Sequence, residues 1–215
     1  MDLTLDTKAA KAADTIASGI TDAGKYIGTI TRAEALKSTN GTLGLGLSFR
    51  TDSGQSADYL DIYTHKADGK ALMGAKTVNA LLVCLKLRGA KQGRITCDKW
   101  DSDARARVKV EVPGYPELMG KRIGLLLQKE LGTNSNSGKD TERMTIFGVF
   151  SADTELTASE ILDSKVNPER LPQMVQALMA RPVRDNRKRQ GGAARPATAA
   201  APAGGFADMD DDIPF

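Results

Sequence analysis

Histidine is nearly absent from this chain: His65 is the only one, and the only cysteines are Cys84 and Cys97. One imidazole builds no histidine pair and no histidine-based metal cluster, and two separated thiols outside any CxxC pair make neither a zinc site nor a disulfide framework. A Ser-His-Asp triad would have to be assembled on His65 alone, in a tyrosine-bearing segment beside a turn, where a histidine is ordinarily a surface residue. Unpaired cysteines suit a reducing compartment. No apolar run approaches the length of a membrane span, and the opening MDLTLDTKAAKAADTIASGI lacks the basic start and apolar stretch of a secretory signal. The expected location is the cytoplasm.

Phosphate-binding loops are missing as well. In GTNSNSGKD the spacing before Gly138-Lys139 is wrong for a Walker loop, and Asp140 stands where a magnesium-binding Ser or Thr is required. GTLGLG belongs to a hairpin and opens no helix, which removes the dinucleotide fingerprint. Asp208, Asp210, Asp211 and Asp212 sit in a stretch with no frame to fix two-metal geometry. The expectation is a protein that is not an enzyme and needs no cofactor or metal.

What the chain does have is segregated charge. The net charge is +3 over 215 residues, and the four aspartates just named are gathered near the end, so the remainder is more basic than the total. A basic body favours a polyanionic partner. Four regions follow from composition: an arm over 1–23 with weak helical periodicity; a globular part over 24–180; an Arg-rich, then Ala/Pro/Gly-rich linker over 181–205, expected to be disordered; and an acidic tip over 206–215.

Within the globular part, GKYIGTITRAEALKS and LGLGLSFR predict strands joined at Asn40-Gly41, a pair suited to positive φ. Leu43, Leu45, Leu47 and Phe49 alternate with Gly44, Gly46, Ser48 and Arg50, placing four apolar residues on one buried face and leaving the other nearly bare. Such glycines mark a close approach or a bend. SADYLDIYTH alternates again, with Leu60 and Ile62 opposite Tyr59, Asp61 and Tyr63. ALMGAKTVNALLVCLKLRG predicts a helix closing at Arg88-Gly89. GRITCDKW, ARVKVEVPG and KRIGLLLQKEL predict three more strands; the polar loop GTNSNSGKDTER leads to another, MTIFGVF. TELTASEIL predicts a capped short helix, and NPERLPQMVQALMA a second one with Asn167 as N-cap and Pro168 in first position.

The fold class expected is mainly β, of the α+β kind. The order strand, strand, strand, helix, strand, strand between Gly24 and Val112 suggests an OB-like five-stranded barrel with an inserted helix, followed by additional strands and helices. Such barrels bind single strands because cations track phosphates and aromatic rings stack on bases. The candidates are Arg105, Arg107 and Lys109 on one strand, Lys99 and Trp100 upstream of them, Lys91 and Arg94 earlier still, Tyr59 and Tyr63 on the preceding strand, and Lys37 and Arg50 flanking the first hairpin. Trp100, the only tryptophan, lies between Lys99 and Asp101, an unusual place for core filling.

The last residues carry the most specific signal. Asp210-Asp211-Asp212-Ile213-Pro214-Phe215 resembles the C-terminal tip of bacterial single-stranded DNA-binding proteins, in which a basic OB domain and a Gly/Pro-rich linker precede an acidic stretch closing on Ile-Pro-Phe. The resemblance implies a docking peptide for replication, recombination or repair proteins: Phe215 enters an apolar pocket, its carboxylate meets a basic residue, and Asp208, Asp210, Asp211 and Asp212 lie along a basic rim. Ile213 and Pro214 complete the apolar handle. The arm before the barrel and the extra elements after Val112 depart from the family, which points to a divergent, phage-encoded member acting in a bacterial host. The family's tetramer does not carry over, and self-association stays open. The expected function is sequence-independent binding and protection of single-stranded DNA; the alternative is a protein-interaction adaptor whose basic β domain binds no nucleic acid.

Overall fold

The computed structural model describes residues 19–187 apart from 102, 104, 135 and 136. Most of the expected arm, most of the linker, and the whole tip with Asp208, Asp210, Asp211, Asp212, Ile213, Pro214 and Phe215 lie outside the described residues.

Strand β1 (Gly24–Lys37) is the hub of a mainly β architecture. One edge pairs with β2 (Leu43–Thr51), from Gly28 against Thr51 to Lys37 against Leu43. The other edge is shared. Gly24 to Thr29 pair with β6 (Arg122–Thr133), and Glu34 pairs with Gly114 at the end of β5 (Ala106–Gly114). A 3-10 turn, Pro116–Leu118, joins these two partners; around it Ile30 and Ala33 of β1 still exchange backbone hydrogen bonds with Tyr115, Gly120 and Lys121. Beyond β2 lies β3 (Ser56–His65), beyond β5 lies β4 (Gly93–Asp101), and β6 also pairs with β7 (Asp140–Phe150). These pairings are antiparallel; β8 (Val183–Asp185) adds to β6 in parallel.

Helix α1 (Met73–Cys84) follows β3, while α2 (Ala158–Leu162) and α3 (Arg170–Ala180) follow β7. Among the described residues no helix is long and apolar enough to cross a membrane.

Ile123, Leu125, Leu126 and Leu127 of β6 are essentially inaccessible. A strand with apolar residues on both faces needs cover on both. Leu125 and Leu127 join the main core with Ile30, Leu47, Phe49, Leu60 and Leu81, whereas Leu126 packs with Phe150, Leu171 and Leu178 beneath α3. The strands expected to complete a barrel, β4 and β5, meet β1 at a single register pair, and it is β6 that takes the long pairing. The half-apolar hairpin cannot satisfy the centre of the sheet, and β6 can, through its continuous apolar run from Ile123 to Leu127. The sheet is open: among the described residues no ladder joins β3 to β4 or to β7.

Other expectations shift locally. Leu43 is 47% exposed, and the face bearing Gly44 and Gly46 is buried rather than bare, because the side chains of Leu36, Asp61 and Tyr63 fill the space a Cβ would take. Only Gly41 adopts positive φ in the first turn. Helix α1 ends at Cys84, and Lys86, with φ of 57°, takes the left-handed position expected at Gly89. Ile20, expected in the arm, is buried in the main core, and its N–H donates to the Ser56 carbonyl. The linker expected from Arg181 begins instead with β8.

Helix α3 starts at Arg170, not at Asn167-Pro168, because its cap comes from α2. The buried Glu160 carboxylate accepts the N–H groups of Glu169 and Arg170, both at 2.7 Å, and the N–H and hydroxyl of Thr157 at 2.8 and 2.7 Å. Burial opposes ionisation here, but these hydrogen bonds outweigh it and hold the pKa down to about 2. A folded-state value below the unfolded one means stability present above about pH 4.5 and lost as pH falls from there toward 2. Glu160→Gln is expected to cost about 1–3 kcal/mol at neutral pH. In urea denaturation the gap between variant and parent should narrow in acid.

Candidate nucleic-acid interface

Strand β3 is interrupted where it matters most. Leu47 pairs with Leu60 and Phe49 with Ala57, so Asp58 and Tyr59 together oppose Ser48 alone, a β-bulge. Tyr59 sits at φ 58°, a left-handed conformation that costs a non-glycine residue about 1–2 kcal/mol. The bulge throws the Tyr59 ring outward, 56% exposed, with its inner face 4.9 Å from the Arg32 guanidinium. It also aims Asp58 at the hairpin, where Arg107 Nη2 donates to Asp58 Oδ2 at 2.7 Å. Burial alone would raise the Asp58 pKa; hydrogen bonds from Arg107 and Ser48, and the charges of Arg107 and Arg32, bring it below the usual carboxylate range.

That ion pair ties the β4–β5 hairpin to β3. Between them, floored by residues 19–21 and flanked by β7, runs a groove of about 760 Å³. Its walls carry Arg50, Arg107 and Arg143 together with Asp58, Asp98 and Glu142. Arg107 is held by Asp58, and Arg143 by Glu130 at 2.6 Å. Arg50 has no ion pair among the described residues.

On the hairpin, Trp100 stands opposite Arg107 and Asp98 opposite Lys109. Opposed residues share a face of the sheet. Trp100, Arg107 and Lys109 therefore form one outward face, and Trp100 is 58% exposed. Ile95, Cys97 and Lys99 share the inward face with Val108, Val110 and Val112.

Of the candidates from sequence, Arg50, Tyr59 and Arg107 line the groove, and Trp100 and Lys109 adjoin it on the hairpin face. The others are placed elsewhere. Lys99 turns inward, its Nζ donating to Glu34 Oε1 at 2.6 Å. Arg94 lies at the hairpin base and pairs with Glu111 at 2.8 Å. Arg105 occupies the hairpin turn at φ 48°, and Lys91 precedes β4, its N–H donating to the Glu117 carboxylate. Tyr63 lies beside Met73 at the start of α1. Lys37 borders a separate, mainly apolar cavity of about 680 Å³ between the β1–β2 end, α1 and Tyr115, with His65 in its wall.

Two groove-side cations escape sequence reasoning. Arg143 falls in a stretch read as polar loop, although β7 begins at Asp140; the signal in the sequence is Met144, an apolar residue directly after Glu142 and Arg143, and the structure buries it. Arg32 is buried in β1, and its signal was a charged pair with Glu34 at strand spacing in an otherwise apolar segment. No protein-family model matches this chain, and no curated protein matches it.

Proposed function

We propose that the protein binds single-stranded DNA without regard to sequence, protecting it during replication, recombination or repair, and recruits partner proteins through the segment Asp210-Asp211-Asp212-Ile213-Pro214-Phe215. One observation carries the binding half of this reading: the exposed Tyr59 ring lines one groove with Arg50 and Arg107, and a second exposed ring, Trp100, stands opposite Arg107 on the adjoining hairpin face. Stacking and phosphate neutralisation need no more than this. The Tyr59 bulge supports it further, since backbone strain of this kind clusters at ligand sites.

The finer fold reading is an OB-like barrel in which β6 and β7, not β4 and β5, take the fourth and fifth positions. In its favour, β1 is long, bulged between Ile30 and Arg32, and shared by β2 and β6; α1 precedes β6 in the chain; and β7 lies beside β3. The β4–β5 hairpin is then an insertion that carries Trp100 and Arg107 over the binding face.

The acidic tip competes with the strand for the groove, because its tether keeps its local concentration high. Deleting residues 206–215 is expected to raise affinity for oligo-dT about two- to tenfold at low salt, with less effect at high salt, and to abolish partner capture. Titrations with single-stranded DNA, RNA and duplex, on the full chain and the deletion, measure this. Unchanged affinity and unchanged capture would remove the tip from the account.

A further inference from the structure

Beside the groove is a smaller recess of about 90 Å³ that shares Arg50, Asp58, Asp98 and Arg107 with it and adds Arg32. The volume is that of about three waters, which suits a small oxyanion. Arg32 is the unusual member. It is 5% exposed, and its Nε and Nη2 have no hydrogen-bond partner among the described residues. Its Nη1 lies 3.6 Å from Glu34 Oε2, while the other oxygen, Oε1, accepts from Lys99 at 2.6 Å, so Glu34 serves only the Nη1 end of the guanidinium. The Tyr59 ring covers one face of the guanidinium, and a ring face offers no acceptor to the in-plane edge. A buried donor pair without an acceptor is destabilising unless something supplies one.

We infer that this recess is a subsite for one phosphate group of the bound strand, with Arg32 as its buried donor and Arg50 and Arg107 as its mobile walls. The inference rests on the single-strand reading and deepens it. Of the two carboxylates that line the recess, Asp58 and Asp98, Asp58 is the one that pairs with an arginine of its wall. It holds Arg107 at 2.7 Å, and the Arg107 side chain is 60% exposed, free to swing. An entering phosphate takes Arg107 from Asp58, opens the recess, and meets the forked edge of Arg32, whose geometry matches two phosphate oxygens. The outer face of Tyr59 then stacks a neighbouring base while its inner face stays on Arg32, so phosphate and base are read side by side.

The test uses the full chain with fluorescent oligo-dT, terminally phosphorylated and unphosphorylated, and with inorganic phosphate as a separate probe. Arg32→Met removes the charge at similar volume and leaves Glu34 paired with Lys99. It should weaken oligo-dT binding about tenfold and lower the log–log salt slope by about 0.7, the share of one single-strand phosphate. Equal loss for both oligonucleotides assigns the recess to an internucleotide phosphate; loss confined to the phosphorylated one assigns it to a strand end. Affinity and slope both equal to the parent's would overturn the subsite while leaving the single-strand reading standing. If the parent bound no oligo-dT, that reading would fall, and inorganic phosphate would decide the recess: a rise in melting temperature in the parent but not in Arg32→Met sustains it, and no rise overturns it. Should Arg32→Met not fold, Arg32→Lys keeps the charge and loses the fork. Weakened binding at an unchanged slope then supports the subsite, and parental affinity overturns it.

Discussion

Replacing Tyr59 or Trp100 by alanine is expected to lower affinity for single-stranded DNA by about fivefold to a hundredfold each, the worth of one base–aromatic stack. The salt slope should stay at its parental value, because neither ring carries a charge that displaces counterions. This separates the rings from the arginines around them. Trp100 is 58% exposed and Tyr59 56% exposed, so neither truncation opens a core cavity. For Tyr59 a control is available in the backbone itself. Tyr59→Gly relieves the left-handed strain at φ 58°, but loses the ring over Arg32 and adds unfolded-state entropy. These contributions nearly cancel, and its stability should stay within about 1 kcal/mol of the parent. A fall in affinity in that variant is then a loss of contact and not of folding. Fluorescence anisotropy with oligo-dT, alongside urea denaturation, measures both.

The second large effect is on the fold. Phe150→Ala is expected to cost about 3–5 kcal/mol, as large-to-small changes at fully buried aromatics do. Phe150 is inaccessible and packs with Leu126, Leu171 and Leu178. Its ring presses on the bare backbone of Gly124, where a Cβ would stand 2.1 Å away. Lys25 Nζ lies 5.5 Å from the ring centroid on β1. The ring thus joins β6, β7 and α3, and neighbouring backbone cannot collapse into the space it leaves. Since domains of this kind are stable by about 5–15 kcal/mol, much of the margin would go. Urea denaturation of the variant gives the number directly.

Much of the mainly β fold was legible in period-two patterns, above all in β3, where Leu60 and Ile62 are buried and Tyr59, Asp61 and Tyr63 face out as the alternation requires. Less legible was which strands would be central. The pattern of β4 and β5 looks like that of any half-buried strand, and only the comparison of their alternating residues with the continuous apolar run of β6 decides which can be covered on both faces. Helix ends were misplaced where the cap is tertiary. Glu160 caps α3 from another element, and no local signal at Asn167 reports that.

The site was read unevenly for a similar reason. Arg107 follows from the alternation within β5, whereas its sharing a face with Trp100 is set by the pairing register of β4 and β5. Lys99, the neighbour of Trp100, goes to the opposite face by alternation and meets Glu34. Arg32 could not be found this way, because its burial depends on the bulge that sets Tyr59 over it, and that bulge arises from the pairing of β2 with β3. A single chain read along its length does not show that pairing.

The central claim, a stacking and phosphate-binding groove beside Trp100, is tested most directly by titrating the full chain with oligo-dT at several salt concentrations while following its only tryptophan. The account predicts quenching of Trp100 on binding and an affinity that falls steeply and linearly on logarithmic axes with salt, by about 0.7 per phosphate engaged. Saturating binding with unquenched Trp100, or no binding even at low salt, would contradict it.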